Sequence, residues 1–371
     1  MAASGLSLGD PGPERRAALR VTPAVPVTGE IRRLGRSTWH FPRRPRFLAV
    51  GTVAGPFEGR GPLGSLFDTV TRDELLGKKS WEQAESELAL QAFSRALSKA
   101  RLTPQDLDIL LAGDLLNQLG ASVFFARDQD LPFLGLFGAC STWAEGLALA
   151  GALLDGGYAQ RVAVVTSSHH HSAERQFRYP TEFAVQRPPT ATWTATGAGA
   201  AILEEGDSGS GGPAPAVVLT HATVGRVVDT GLKDPYDLGS AMAPAAADCL
   251  ETHFRETGRS PLDYDLVATG DLGEVGSPLL QDLLLARGIN LAPVHQDCGL
   301  LLYRQDQDVH AGGSGCACSA LVFSARFYPE LLGGKMKRML IVATGALFSQ
   351  TSYLQGESIP CIAYAVALER V

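Results

Sequence analysis

The sequence predicts an α/β protein made of two similar halves. Each half is expected to hold a sheet covered by helices, with the halves packed about a pseudo-twofold axis. Three observations lead there. Apolar runs of strand length alternate with longer stretches of helical period, the pattern of α/β units. Short motifs recur in order: Leu-Asp-Ile-Leu-Leu-Ala-Gly-Asp-Leu at 107–115 matches Tyr-Asp-Leu-Val-Ala-Thr-Gly-Asp-Leu at 264–272, and Cys140-Ser141 aligns with Cys318-Ser319. Finally, a Gly/Ser/Pro-rich stretch at 206–215 separates the two series.

In the first half, strands are expected at 47–50, 107–112, 132–137, 161–166 and 198–203. Ser80-Trp-Glu-Gln83 has the form of a capping box and opens a helix, whose apolar face is Ala84, Leu88, Ala92 and Leu97. A second helix should run from about Cys140 to Leu154. The second half repeats the order, with strands at 217–223, 264–269, 338–343 and 361–368. Helices are expected near 239–253, 276–286 and 316–331. The organisation is therefore a tail (1–37), a first half (38–205), a linker (206–215) and a second half (216–371).

Composition bounds the function. The chain of 371 residues is 45% hydrophobic and carries a net charge of −7, which argues against a nucleic-acid partner. Charge is uneven, because nine Arg and three acids give residues 1–46 a net of +6. The prolines of that tail break any helix. It reads as a disordered extension, or as a basic arm touching an anionic membrane surface. No run is long and apolar enough to span a bilayer, and the N-terminus lacks the apolar segment of a signal peptide. The six cysteines are scattered and fit a reduced compartment better than a disulfide framework. No metal site is expected: Cys316-Ala-Cys318 lacks the usual spacer, and three consecutive residues, His169-His-His171, cannot all face one ion in regular backbone. No cofactor is expected either.

Cys140 leads the candidates for chemistry. It follows an apolar strand and begins a helix, where free N–H groups favour a thiolate or a neighbouring anion. An inert buried thiol is the alternative reading.

A strand, then Gly138-Ala-Cys-Ser141, then an Ala/Leu-rich helix resembles the nucleophile segment of thiolases and ketoacyl synthases. Gly312-Gly-Ser-Gly-Cys-Ala-Cys-Ser-Ala320 occupies the place of their Gly-rich C-terminal loop. The resemblance implies a thiolase-like fold. Longer motifs are similar to the stage V sporulation protein AD family: Gly-Pro-Leu-Gly-Ser-Leu-Phe-Asp at 61–68, Leu-Ala-Gly-Asp-Leu-Leu-Asn-Gln at 111–118, Phe-Gly-Ala-Cys-Ser-Thr at 137–142, Ala-Glu-Arg-Gln-Phe-Arg-Tyr-Pro-Thr-Glu at 173–182 and Met-Ala-Pro-Ala-Ala-Ala-Asp at 242–248. This resemblance covers the chain from about Gly35 onward. It implies binding of dipicolinic acid (pyridine-2,6-dicarboxylate) without turnover, for uptake into the developing spore. It further implies membrane proteins of the transport machinery as partners, a homodimer, and a peripheral place at the inner membrane of the forespore.

The enzyme pattern is incomplete. Claisen chemistry needs a base or oxyanion donor beside its Cys, usually His with a second His or Asn. Gly270-Asp-Leu272 stands where the His would fall, and Gly313 and Ser314 stand where Asn would. The expected ligand contacts are Cys140, Asp114, Asn117, His169, Arg178, Asp271, Gly313 and Ser314. Arg175 and Arg178 offer forks for carboxylates, or pair with Glu174 and Glu182. Asp114 and Asp271 sit in equivalent loops and would repel a dianion. They cap helices, or Asp114 is protonated, or calcium accompanies the ligand. Two rival functions are an active Cys acyltransferase and a scaffold for membrane partners.

Overall fold

A computed structural model describes residues 31–177, 186–206 and 215–371. Most of the expected tail, most of the linker and Arg178 lie outside the described residues. Five strands make the first half: β1 (Arg46–Ala54), β2 (Ile109–Gly113), β3 (Phe133–Gly135), β4 (Arg161–Ser168) and β5 (Gly197–Glu204). Their order across the sheet is β3-β2-β4-β5-β1. The second half contributes β6 (Val217–Val224), β7 (Leu266–Thr269), β8 (His295–Asp297), β9 (Arg338–Ala346) and β10 (Cys361–Arg370). Their order, β8-β7-β9-β10-β6, is the same with each strand replaced by its counterpart. Directions match as well. β2 is parallel to β3 and β4, and β7 is parallel to β8 and β9. The remaining neighbours in each half are antiparallel. The repeated motifs at 107–115 and 264–272 thus fall on equivalent strands and the turns after them. The sheets touch edge to edge at one pair, Arg46 with Val218.

Helices fill the space between and outside the sheets: α1 (Trp81–Ala100), α2 (Gly120–Arg127), α3 (Thr142–Asp155), α4 (His170–Phe177), α5 (Leu238–Thr257), α6 (Gly273–Leu285) and α7 (Cys316–Val322). α3 and α7 are central. Trp143, Leu147 and Leu154 of α3 and Leu321 of α7 share one core with Val164 and Ala201 of the first sheet and Leu219, Ile341 and Val366 of the second. α1 covers the outer face of the first sheet with Leu88, Ala92 and Phe93. α5 and α6 cover the outer face of the second with Met242, Leu250, Leu280 and Leu284.

Local chemistry explains the ends. The Ser80 hydroxyl accepts from the Gln83 N–H at 3.3 Å and starts α1, as its sequence form requires. Arg101, in the left-handed region at φ 56°, ends it. Asp237 accepts from the Ser240 N–H at 3.2 Å at the head of α5, and Gly258 closes that helix at φ 69°. The helical run expected at 316–331 is present with a π-turn, Phe323–Phe327, inside it. α2, α4 and β8 carry too little apolar period to be read from sequence.

Candidate functional site

The site forms where the two halves meet beneath their parallel strands. After β3 the chain enters a single tight turn, Ala139–Ser141, which leads into α3. Ala139 takes φ 51°, a conformation that costs a residue with a Cβ. Side chains hold the turn: Ser141 Oγ donates to the Gly138 carbonyl at 2.5 Å, and Thr142 Oγ1 donates to the Ala139 carbonyl at 2.6 Å. β9 presses on the turn from the other half. A Cβ on Gly345 would lie 1.9 Å from the Gly138 carbonyl oxygen. Only hydrogen fits there.

Cys140 sits on this turn, buried, and lines a small, partly open pocket. Phe137, Phe177, Leu238 and Phe348 supply most of the wall, with Leu115 and Ala173 behind. Phe177 and Phe348 meet edge to face, their ring centres 5.7 Å apart. The side-chain hydroxyls in the lining are Thr194 and Ser314. No His, Lys or Arg lines the pocket among the described residues.

A hydrogen-bonded chain runs inward from the thiol. Cys140 Sγ is 3.6 Å from Ser314 Oγ. Ser314 Oγ donates to Asp271 Oδ2 at 2.9 Å, and the Gly315 N–H reaches the same oxygen at 3.3 Å. The other oxygen, Oδ1, accepts from Thr344 Oγ1 at 2.9 Å. Asp271 follows β7 and is fully buried. Burial first, and then the nearby Asp297 carboxylate, push its carboxyl up to about 6, against the pull of Cys140, Thr344 and Ser314. Burial also drives the Cys140 thiol well above its usual range, and Asp271 adds to the effect. The environment keeps a proton on sulfur, the opposite of what an activated nucleophile needs.

Cys140, Asp271 and Ser314 are therefore brought together, with Gly313 as the backbone neighbour of Ser314 on a short strand paired with Trp193–Thr194. Three other expected residues stand away from the pocket lining. Asp114 turns its oxygens to the Leu116 N–H at 2.8 Å and the Ser122 N–H at 2.7 Å, closing the turn before α2 and capping it. It shares a buried space with Glu85, whose carboxyl is driven well above its usual range by burial and by Asp114. Asn117 is exposed, and its backbone N–H donates to Gln176. His169 is buried. Its Nε2 meets the Glu74 carbonyl at 2.8 Å, its Nδ1 accepts the His171 N–H, and burial lowers it to about 4, so the ring is neutral. His170 instead stacks on Trp193 at 3.6 Å and His171 on Trp81 at 4.7 Å, so the three rings meet three different partners. Arg175 pairs with Glu82, over the face of Trp81. Among the described residues, no group of three His, Cys, Asp or Glu is placed to hold a metal.

The pocket walls were invisible to sequence reasoning. Phe137, whose size alone would suggest a core position, is 45% exposed and lines the pocket. Phe177, Leu238 and Phe348 come from three remote segments, and no local signal joins them. Trp143, by contrast, is fully buried in the core.

Paired five-stranded sheets around two central helices, with a cysteine at the head of one, define a thiolase-like protein of the ketoacyl synthase type of fold. Solved structures agree. A tetronic acid condensing enzyme matches with a TM-score of 0.55 at 22% identity, over 87% of this chain and 99% of its own. OleA of Xanthomonas campestris matches at 0.54 and 15% identity, over 90% and 100%. The 3-oxoacyl-[acyl-carrier-protein] synthase III of Aquifex aeolicus matches at 0.52 and 16%, over 88% and 99%. At these identities the likeness is one of fold.

The chain belongs to the stage V sporulation protein AD family, whose model matches residues 35–369. Stage V sporulation protein AD of Bacillus subtilis (strain 168) is 51% identical over 339 residues, which span 91% of this chain and 97% of the relative. Membership supports a role in sporulation. Among the described residues, no helix is long and apolar enough to cross a membrane.

Proposed function

We propose that this protein binds dipicolinic acid in the Cys140 pocket, without turning it over, and so serves uptake of that acid into the developing spore. The observation that carries the reading is the company of the thiol. Where a condensing enzyme needs a base, Cys140 has Ser314 and Asp271, and burial with a neighbouring carboxylate holds the proton on sulfur. What remains is a recognition site. Aromatic and aliphatic walls suit a pyridine ring, while the Ser314 and Thr194 hydroxyls and the Cys140 thiol supply the polar groups a carboxylate can meet.

Two further expectations belong to the same reading. The first is a homodimer. β3 is an edge strand in the sheet; its Leu134 is 42% exposed, and Val123 and Phe124 of the neighbouring α2 are 44% and 59% exposed. Such an edge with apolar flanks suits pairing with a second copy. The second is a peripheral place at the forespore inner membrane, beside the membrane proteins of dipicolinate transport.

Calorimetric titration of the purified protein with dipicolinate tests the proposal, run beside Cys140→Ala. Saturable binding that the substitution weakens is the expected result. No heat from a folded protein would overturn it. The acyltransferase rival predicts a mass increase on Cys140 after incubation with acyl-CoA, and the unchanged mass of the intact chain would remove that rival. The scaffold rival predicts that pocket variants still support dipicolinate uptake in sporulating cells.

A further inference from the structure

We propose that Asp271 sets the polarity of the pocket through Ser314, so that a carboxylate ligand enters together with a proton that is taken up by Asp271. The inference rests on the reading of the pocket given above.

Ser314 has one O–H, and with Asp271 ionised that hydrogen is given to Oδ2 at 2.9 Å. The Cys140 thiol, 3.6 Å from Ser314, then donates inward, to a lone pair of Ser314 or to the Asp271 carboxylate itself. Both donors point inward along the chain. Thr194, the other hydroxyl of the lining, donates to buried Glu174 at 3.3 Å. An ionised Asp271 thus leaves the pocket side chains offering lone pairs to an anion, and adds a buried negative charge two bonds behind them. Repulsion and wrong polarity act together.

One proton reverses this. With a proton on Oδ2, Asp271 becomes the donor to Ser314, and the Ser314 hydrogen is released toward the pocket or toward Cys140. The thiol hydrogen is then free to meet the ligand. One proton moves from solvent to Asp271 for each ligand bound, and no covalent bond to the ligand forms. The surroundings are consistent with a proton that comes and goes. Thr344 and the Gly315 N–H donate to the carboxylate and favour its charge, whereas burial opposes it. The titratable groups facing Asp271 are Cys140 on the turn before α3, Asp297 on β8, Cys298 just after it, Cys318 on α7 and Cys361 at the start of β10. Asp297 accepts from Thr269, Leu272, Gly273 and Leu300, and the thiols are held protonated. None of these groups is a cation that would offset the ligand's charge.

The test is calorimetric titration with dipicolinate, repeated from about pH 6 to about pH 8, where the ligand's own carboxyls are already ionised. Each pH is run in two buffers of different ionisation enthalpy, so that proton uptake is read directly on the native protein. Expected are uptake of about one proton per ligand at the upper end and an affinity that falls about tenfold per pH unit above about pH 6. The uncharged analogue pyridine-2,6-dicarboxamide should bind without that dependence. Asp271→Asn, folded by circular dichroism, should bind dipicolinate with a flat profile, which also separates Asp271 from Glu174. Dipicolinate binding with no proton uptake, or an unchanged slope in Asp271→Asn, would overturn this inference and leave the binding site standing. No binding at any pH by the folded native protein would overturn the reading of the pocket itself, and this inference with it.

Discussion

Gly345→Ala should loosen the seam between the halves and with it the pocket. The new methyl would sit 1.9 Å from the Gly138 carbonyl oxygen and 2.9 Å from Ser141 Oγ. Carbon and oxygen do not approach within about 3 Å, so the Gly138–Ser141 turn must retreat from β9 by more than an ångström. The obstacle is backbone, and that turn is already fixed by the Ser141 and Thr142 hydroxyls and by a left-handed Ala139. Overpacking of this kind costs about 1–3 kcal/mol, and a backbone obstacle places the expected loss near 3 kcal/mol. Urea unfolding, followed by fluorescence of the four tryptophans, measures it as a lower midpoint at unchanged slope. Dipicolinate affinity should fall with it, because Cys140 rides on the displaced turn. Gly120→Ala is the control: its Cβ meets nothing closer than 3.8 Å, so the midpoint should hold or rise slightly. A Gly345→Ala protein within about 0.5 kcal/mol of the native one would refute the contact on which this rests.

Two other outcomes follow from buried groups. Burial lifts the Glu58 carboxyl up to about 7, although Tyr303 and the Thr196 N–H bond to it. A raised folded-state pKa stabilises below the unfolded value and is lost as pH climbs through about 7, a span worth about 3 kcal/mol. Glu58→Gln should therefore lessen the fall in stability between about pH 5 and about pH 7, and a fall of unchanged size in the variant would contradict the assignment. Cys140 should alkylate with iodoacetamide at least about tenfold more slowly than free cysteine near pH 8, because its thiol stays protonated and buried. Peptide mass mapping over time reads the rate, and alkylation faster than free cysteine would mark an activated nucleophile and reopen catalysis.

Much of the architecture was legible because duplicated halves leave duplicated marks. The Gly-Asp-Leu turns at 113–115 and 270–272 do follow equivalent strands, and the Ser80 cap does start α1. Cys140 could be found because a strand, a tight turn and a helix follow each other locally in the chain. Sequence equivalence misleads about role, however. Asp114 and Asp271 occupy matching turns, yet Asp114 bends back to the N–H groups before α2, and Asp271 reaches across to Ser314 and Thr344. That difference depends on which groups the other segments bring near, and periodicity carries no record of it. The same holds for the pocket wall. Phe177, Leu238 and Phe348 are made neighbours by the packing of α4, α5 and the chain after β9, so each alone reads as an ordinary apolar residue.

The short strand Thr38–His40 has a consequence for how the molecule comes apart. It opens the described part of the first half, yet it pairs antiparallel with β6, and Glu256 of α5 holds the N–H groups of Arg36, Ser37 and Thr38. The beginning of one repeat is thus stitched into the sheet of the other, while α3 and α7 lie in both. A protease that cut the chain between residues 206 and 215 would break the covalent path between the repeats without freeing either. The two fragments would stay clasped.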